Sequence, residues 1–262
     1  MTLEPPLARR DVILGRLAQG RSVVAAELAL EFDVSEDAIR RDLRALAAEG
    51  RCRRVYGGAL PLSQPLAPMA ARMEEARDRK QALARAAASL VRPGQFVFLD
   101  SGSANLALVS CLPEDADLTI ATNSIDIAAA VLRRPDLRLI VVGGAVDPSV
   151  GGSVDAAATL ALMRMNVDLG VLGACAVSSA SGVSAHDPSD AAFKRALFAA
   201  SRKRIVLAMS DKFGARAPHR IAEVKDIDAF VVEHDAPRDA LDYLAAAGCV
   251  LLSATVPHEV RP

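Results

Sequence analysis

Apolar positions in the first sixty residues recur at helical spacing. Val12, Ile13 and Leu17 mark the inward side of a first helix over 9–17, which Gly20 closes. Leu28 and Phe32 mark a second helix over 24–32. Asp33 and Val34 turn the chain, and Ser35 stands where a helix N-cap is wanted. Ile39, Leu43 and Leu46, at i, i+4 and i+7, form the stripe of a third helix that begins at Glu36. From Arg72 onward the pattern changes. Short apolar runs at 95–99, 118–121, 137–142, 169–172, 204–208, 229–232 and 250–252 read as buried strands. Amphipathic stretches at 80–90, 105–111, 125–133, 155–163, 190–201 and 238–246 read as helices. Strands alternating with helices predict an α/β domain, mostly a parallel sheet with helices on both faces. A small N-terminal domain of winged helix-turn-helix form precedes it. We read the division as 1–60, a linker at 61–75 that carries three prolines by residue 71, and 76–262.

Composition changes this picture little. At 262 residues, 52% hydrophobic and 24% charged, the chain can bury a real core in two domains. With 3% aromatic residues and no Trp, that core is aliphatic. Four scattered cysteines form no CxxC pair, so no metal, cofactor or disulfide framework is expected. No leader and no apolar run of about 20 residues is visible, so the chain is expected to be cytoplasmic, with no membrane partner.

Charge matters locally. The net charge is −1, but between residues 40 and 54 six arginines (40, 41, 44, 51, 53 and 54) face only Asp42 and Glu49. On the third helix Arg41 lies nearly opposite the apolar stripe, with Arg44 and Asp37 beside it and Arg40 on the flank. A short helix that buries one side and offers arginine on the other suits the major groove. After Gly50, the segment with Arg53, Arg54, Tyr56 and Gly57-Gly58 reads as a basic strand pair with a glycine turn, a wing able to touch phosphate. Periodicity alone leaves a merely solvated helix open.

In the second half several strands end in small or polar residues on one expected edge: Asp100-Ser101-Gly102-Ser103, Thr122-Asn123, Gly143-Gly144, Gly173, and Asp211-Lys212. Open α/β sheets place ligands at such ends, and a Gly/Ser loop before a helix presents amides to an anion. Asp190 and Lys194 form an acid–base pair at i, i+4. It reads either as a surface ion pair or as a ligand contact.

The run VAAELALEFDVSEDAIRRDLRALAAEGRCRRVYGGAL resembles the N-terminal domain of the DeoR family of bacterial regulators. LDSGS, TNS, VVGG, DLGVLGA, DAAFK and SDKFG resemble that family's effector domain, which is itself similar to sugar-phosphate isomerases. The resemblance covers nearly the whole chain. It implies a DNA-binding regulator that acts as a repressor of a carbohydrate operon. Ser35, Asp37, Arg40, Arg41, Arg44, Arg53, Arg54 and Tyr56 would face operator DNA. It also implies a phosphorylated sugar as effector. The phosphate would lie at Ser101, Gly102 and Ser103, with Asn123, Lys194, Asp211 and Lys212 around the sugar. Because operators are commonly two-fold symmetric, a homodimer or larger homo-oligomer is expected. The chain departs from the family at Ala38 and Tyr56, and at Ala104, Asn105 and Asp190 in the effector domain. Two alternatives are a sugar-phosphate isomerase, with Asp187 or Asp190 as base near Lys194, and a metabolite-binding protein that has lost DNA binding.

Overall fold

A computed structural model describes residues 6–18, 23–49, 51–61 and 69–255. The chain divides into two compact units, Met1–Gln64 and Pro65–Pro262.

In the first unit, helices Pro6–Ala18, Ala25–Glu31 and Glu36–Ala48 surround a core of Ile13, Leu17, Leu28, Ile39, Leu43 and Leu46. Val12, expected inside, is exposed: it lies one residue off the stripe set by Ile13 and Leu17. Gly20 lies outside the described residues. Strands Cys52–Val55 and Gly58–Pro61 form an antiparallel hairpin. Val24, expected to open the second helix, instead forms with Val23 a short strand that pairs with the second strand of this hairpin. The two glycines of the turn have separate reasons, and that pairing accounts for the second. Gly57 sits at φ +88°, which disfavours a side chain. A Cβ on Gly58 would lie 2.0 Å from the Val23 carbonyl oxygen.

In the second unit seven parallel strands run in the order Val250–Ala254, Ala229–Glu233, Ser201–Ala208, Val167–Gly173, Phe96–Leu99, Thr119–Thr122, Arg138–Val141. All seven expected strands are present. Alternation sends Phe98, Leu172 and Val206 to one face and Val97, Val171 and Leu207 to the other. Each face carries its own apolar core. Helix Pro188–Ala200 packs on the first face and Arg77–Ala88 on the second. Arg138–Val141, expected to be buried, exposes Ile140 and Val141 because it is an edge strand. Helix Met69–Glu74 stands where the sequence reads as linker. A second sheet of Ala176–Ser178, Gly182–Ala185 and His219–Ala222, all antiparallel, has no counterpart in the sequence expectations. Its segments, with Gly182, Ser184 and His219 among them, do not form apolar runs. Among the described residues no helix is long and apolar enough to cross a membrane.

From Phe96–Leu99 the chain builds outward in one direction, then returns to start again at Val167–Gly173 on the other side. The carboxyl ends of these two neighbours therefore diverge into a crevice, the place where such sheets accept ligands.

Candidate nucleic-acid interface and ligand cavity

The helix Glu36–Ala48 is capped by Ser35, whose hydroxyl accepts from the Ala38 amide at 3.3 Å. This holds Ser35 to a capping role at the helix start. Arg40, Arg41 and Arg44 are all exposed on the side away from the core, as is Asp37. Arg40 is partly neutralised by Glu36 and by Asp37, the latter at 3.7 Å. Among the described residues Arg41 has no ion-pair partner. In the hairpin Arg54 is exposed and Tyr56 stands fully exposed at the turn. The side chain of Arg53 lies outside the described part.

Asp42 was counted against the arginines in the sequence, and the structure gives it a different role. It is buried on the rear of the helix and accepts from Arg9 Nε at 2.7 Å and Arg10 Nε at 3.0 Å. One carboxylate thus ties the first helix to the arginine-bearing one. The sequence offers no sign of this pairing, because the partners are more than thirty positions apart.

At the crevice of the second unit lies a cavity of about 330 Å³. Of the expected residues it is lined by Ser101, Gly102, Ser103, Gly173, Asp190 and Lys194, and also by Asp211 and Lys212. Thr122, Asn123 and Gly144 do not line it. Thr122 Oγ1 donates to the Leu99 carbonyl and accepts from the Ser124 amide. Asn123 accepts from the Ser101 amide at 3.1 Å and donates to the Ser153 carbonyl, so it braces the loop from behind. Gly144 packs against Asp155, whose carboxylate accepts from the Ala145 amide and caps helix Ala156–Leu162.

Asp190 and Lys194 are buried, so they are not a surface pair. Lys194 Nζ pairs with Asp190 Oδ1 and lies 3.2 Å from Asp100 Oδ2. Asp100 is fully buried just behind the cavity, and the same oxygen accepts from the Gly173 amide at 2.8 Å. Burial pushes the Asp100 carboxyl up to about 6, against the pull of Lys194. Burial works to lower the Lys194 ammonium, but the two carboxylates outweigh it and hold it above its ordinary value. Gly173 is small for a reason: a Cβ there would lie 3.0 Å from the Ser101 carbonyl oxygen and 3.2 Å from Asp100 Oδ2.

The sequence did not single out Arg72, Lys80 or Glu75, which also line the cavity. Lys80 Nζ donates to the carbonyls of Arg72 and Glu75. Burial lowers its ammonium; Glu75 opposes this, and the nearby charges of Arg72 and Lys212 add to it. In all, four basic side chains (Arg72, Lys80, Lys194, Lys212) meet four acids on the wall (Glu75, Asp187, Asp190, Asp211). His186, also on the wall, has its imidazole lowered by burial and by Lys212, against the pull of Asp190. Among the described residues four buried polar side-chain atoms have no hydrogen-bond partner: Asp100 Oδ1, Ser101 Oγ, Asn105 Oδ1 and His186 Nδ1. All four sit in or against this cavity, which marks it as a place for a polar ligand. No cluster of His, Cys, Asp and Glu among the described residues could hold a metal ion.

Arginines on a capped helix beside a basic hairpin, together with an α/β unit carrying a polar cavity, define a ligand-linked DNA reader. Residues 9–64 match the family described as "DeoR-like helix-turn-helix domain", and residues 75–234 match "DeoR C terminal sensor domain". The chain belongs to the DeoR family of DNA-binding transcriptional regulators. It is 30% identical over 246 residues to a putative aga operon transcriptional repressor of Escherichia coli O157:H7, covering 92% of this chain and 91% of that protein. It is 28% identical to the glycerol-3-phosphate regulon repressor of Escherichia coli K12, covering 90% and 94%. Among solved structures it is similar to ribose 5-phosphate isomerase A from Methanocaldococcus jannaschii, with a TM-score of 0.39 and 16% identity over 52% of this chain and 54% of that one. It also resembles a probable sor operon regulator from Shigella flexneri, with a TM-score of 0.37 and 13% identity over 53% and 77%. The family is one of regulators, which sets the isomerase alternative aside.

Proposed function

We propose that this protein is a repressor of a carbohydrate operon, reading operator DNA with its first unit and a phosphorylated sugar with its second. The observation that carries the reading is the exposed Arg40, Arg41 and Arg44 on a helix whose opposite side is wholly buried. Arg41, which has no protein partner among the described residues, is the side chain best placed for a base edge. Arg54 and Tyr56 serve the phosphate backbone beside it, with Asp37 and Arg53 near the same groove. The relatives named as repressors of the aga operon and the glycerol-3-phosphate regulon support the sign of control, and the second supports a small phosphorylated metabolite as the input. The resemblance sets the phosphate at Ser101, Gly102 and Ser103 with Lys212 beside the sugar; the basic side chains Arg72, Lys80 and Lys212 on the cavity wall favour the opposite orientation, with the phosphate toward them and the sugar part toward Ser101 and Lys194. The protein works in the cytoplasm, where its DNA is, as a homodimer or larger assembly matching operator symmetry. The first unit carries the DNA-reading role, and the second, with Arg72 and Glu75 of the cavity wall, carries the effector role.

The test is binding of the full chain to its own promoter region across a salt series. Arg41→Ala is expected to lower affinity by about 1–3 kcal/mol if it reads a base. Affinity of the unaltered chain should fall steeply with salt. Equal affinity for promoter and unrelated DNA in both proteins would refute sequence-specific reading. Glycerol 3-phosphate and pentose phosphates, added to the bound complex, test release.

A further inference from the structure

The inner end of the cavity presents a buried acceptor that a phosphate dianion cannot meet. Asn105 lies in the first turn of helix Ser103–Val109, lines the cavity and is almost completely buried. Its amide nitrogen donates to two backbone carbonyls, Asp100 at 2.9 Å and Val171 at 3.2 Å. Turning the amide over would set its oxygen against both carbonyl oxygens, so the network fixes the orientation. The oxygen Oδ1 is left as a buried acceptor with no donor. Beside it, Ser101 also lines the cavity. Its amide is spent on Asn123, while its hydroxyl has no partner. A buried acceptor left unsatisfied costs about 1–3 kcal/mol, so the site is completed by a group that donates. A phosphate dianion offers only acceptors and would be repelled by Asn105 Oδ1. A sugar or polyol hydroxyl donates to Asn105 and exchanges hydrogen bonds with Ser101.

We propose that Asn105 is the specificity-determining residue of the cavity, accepting from a hydroxyl of the effector, and that Ser101 completes this hydroxyl-reading end. The inference rests on the reading of the cavity as an effector site and adds which end of the effector lies innermost. The phosphate, if the effector carries one, is excluded from this end and lies toward Lys212, the more exposed side.

The test uses the full chain and thermal melting with ribitol, galactitol, D-ribose 5-phosphate, deoxy analogues lacking one hydroxyl each, and inorganic phosphate. Two variants are compared, Asn105→Thr and Ser101→Ala. The second removes a hydroxyl that holds nothing in the protein, so it keeps the fold. At least one hydroxylated probe is expected to bind. One of its deoxy analogues, and both variants, should weaken that binding about tenfold, while the response to inorganic phosphate stays unchanged. The proposal is overturned if no hydroxylated probe loses more than twofold in either variant, or if inorganic phosphate protects as strongly as the hydroxylated probes and is lost in both. A neutral polyol that binds and is lost in the variants, with no response to any phosphate ester, would uphold this inference and refute the phosphorylated effector. Phosphate esters that bind equally well to the variants would do the reverse.

Discussion

Replacing Asp42 tests whether the arginine-bearing helix is held from behind. Its carboxylate serves Arg9 and Arg10 together, with side chains only 4% exposed for Asp42, 7% for Arg9 and 28% for Arg10. Asp42→Ala leaves one almost fully buried guanidinium without its counter-charge. Breaking a buried pair from one side costs about 3–5 kcal/mol. A unit of this size has a total stability of only roughly 3–10 kcal/mol. Its melting temperature should therefore fall by well over 10 °C, at about 4–8 °C per kcal/mol. Calorimetry of the full chain is the assay, read on the transition that belongs to the first unit. DNA affinity at 25 °C should fall with it, although Asp42 faces away from the exposed arginines. The double variant Arg9→Met, Asp42→Leu should recover most of the loss, because an apolar pair of similar volume commonly replaces a buried ion pair at little cost. Strict additivity of Arg9→Met and Asp42→Leu, or a change below about 1 kcal/mol for Asp42→Ala, would refute the role assigned to this contact.

Three further outcomes are expected. Lys194→Met strands two buried carboxylates and should lower the melting temperature of the second unit by roughly 10 °C. Adding Asp190→Asn should restore part of it, as read by calorimetry. The raised Asp100 carboxyl binds a proton more tightly in the folded protein than in the unfolded chain. It therefore contributes stability at low pH that is lost as pH rises from its ordinary 3.8 to about 6 and is flat above that. The melting temperature of Asp100→Asn measured against the unaltered protein should gain over that window; a constant difference from pH 4 to 7 would contradict it. Gly58→Ala places a methyl 2.0 Å from the Val23 carbonyl oxygen and should separate Val23–Val24 from the hairpin, weakening DNA binding while the second unit melts normally.

Local chemistry was legible along the chain wherever neighbours in sequence are neighbours in space. The stripe of Ile39, Leu43 and Leu46 and the exposure of Arg40, Arg41 and Arg44 follow from 100° per residue, and the Ser35 cap from the need for a side-chain acceptor at a helix start. The seven strand runs were legible too, because short apolar stretches of three to six residues between turn signals read as buried strands. Spacing could not show that Asp42 belongs to Arg9 and Arg10. Nor could it show that Asn123 braces the cavity loop from behind and that Thr122 and Gly144 are off the cavity wall. The packing of the first helix on the third decides the former, and the strand order of the second unit decides the latter. That order puts the ends of Phe96–Leu99 and Val167–Gly173 side by side, brings Lys194 between Asp100 and Asp190, and turns Asn105 so that its oxygen has no donor. The sequence by itself determined a helix with an arginine face and an α/β unit with small residues at its strand ends. The tertiary structure alone decided which of those ends share a cavity and what polarity it offers, because hydrogen-bond satisfaction depends on groups that are distant along the chain.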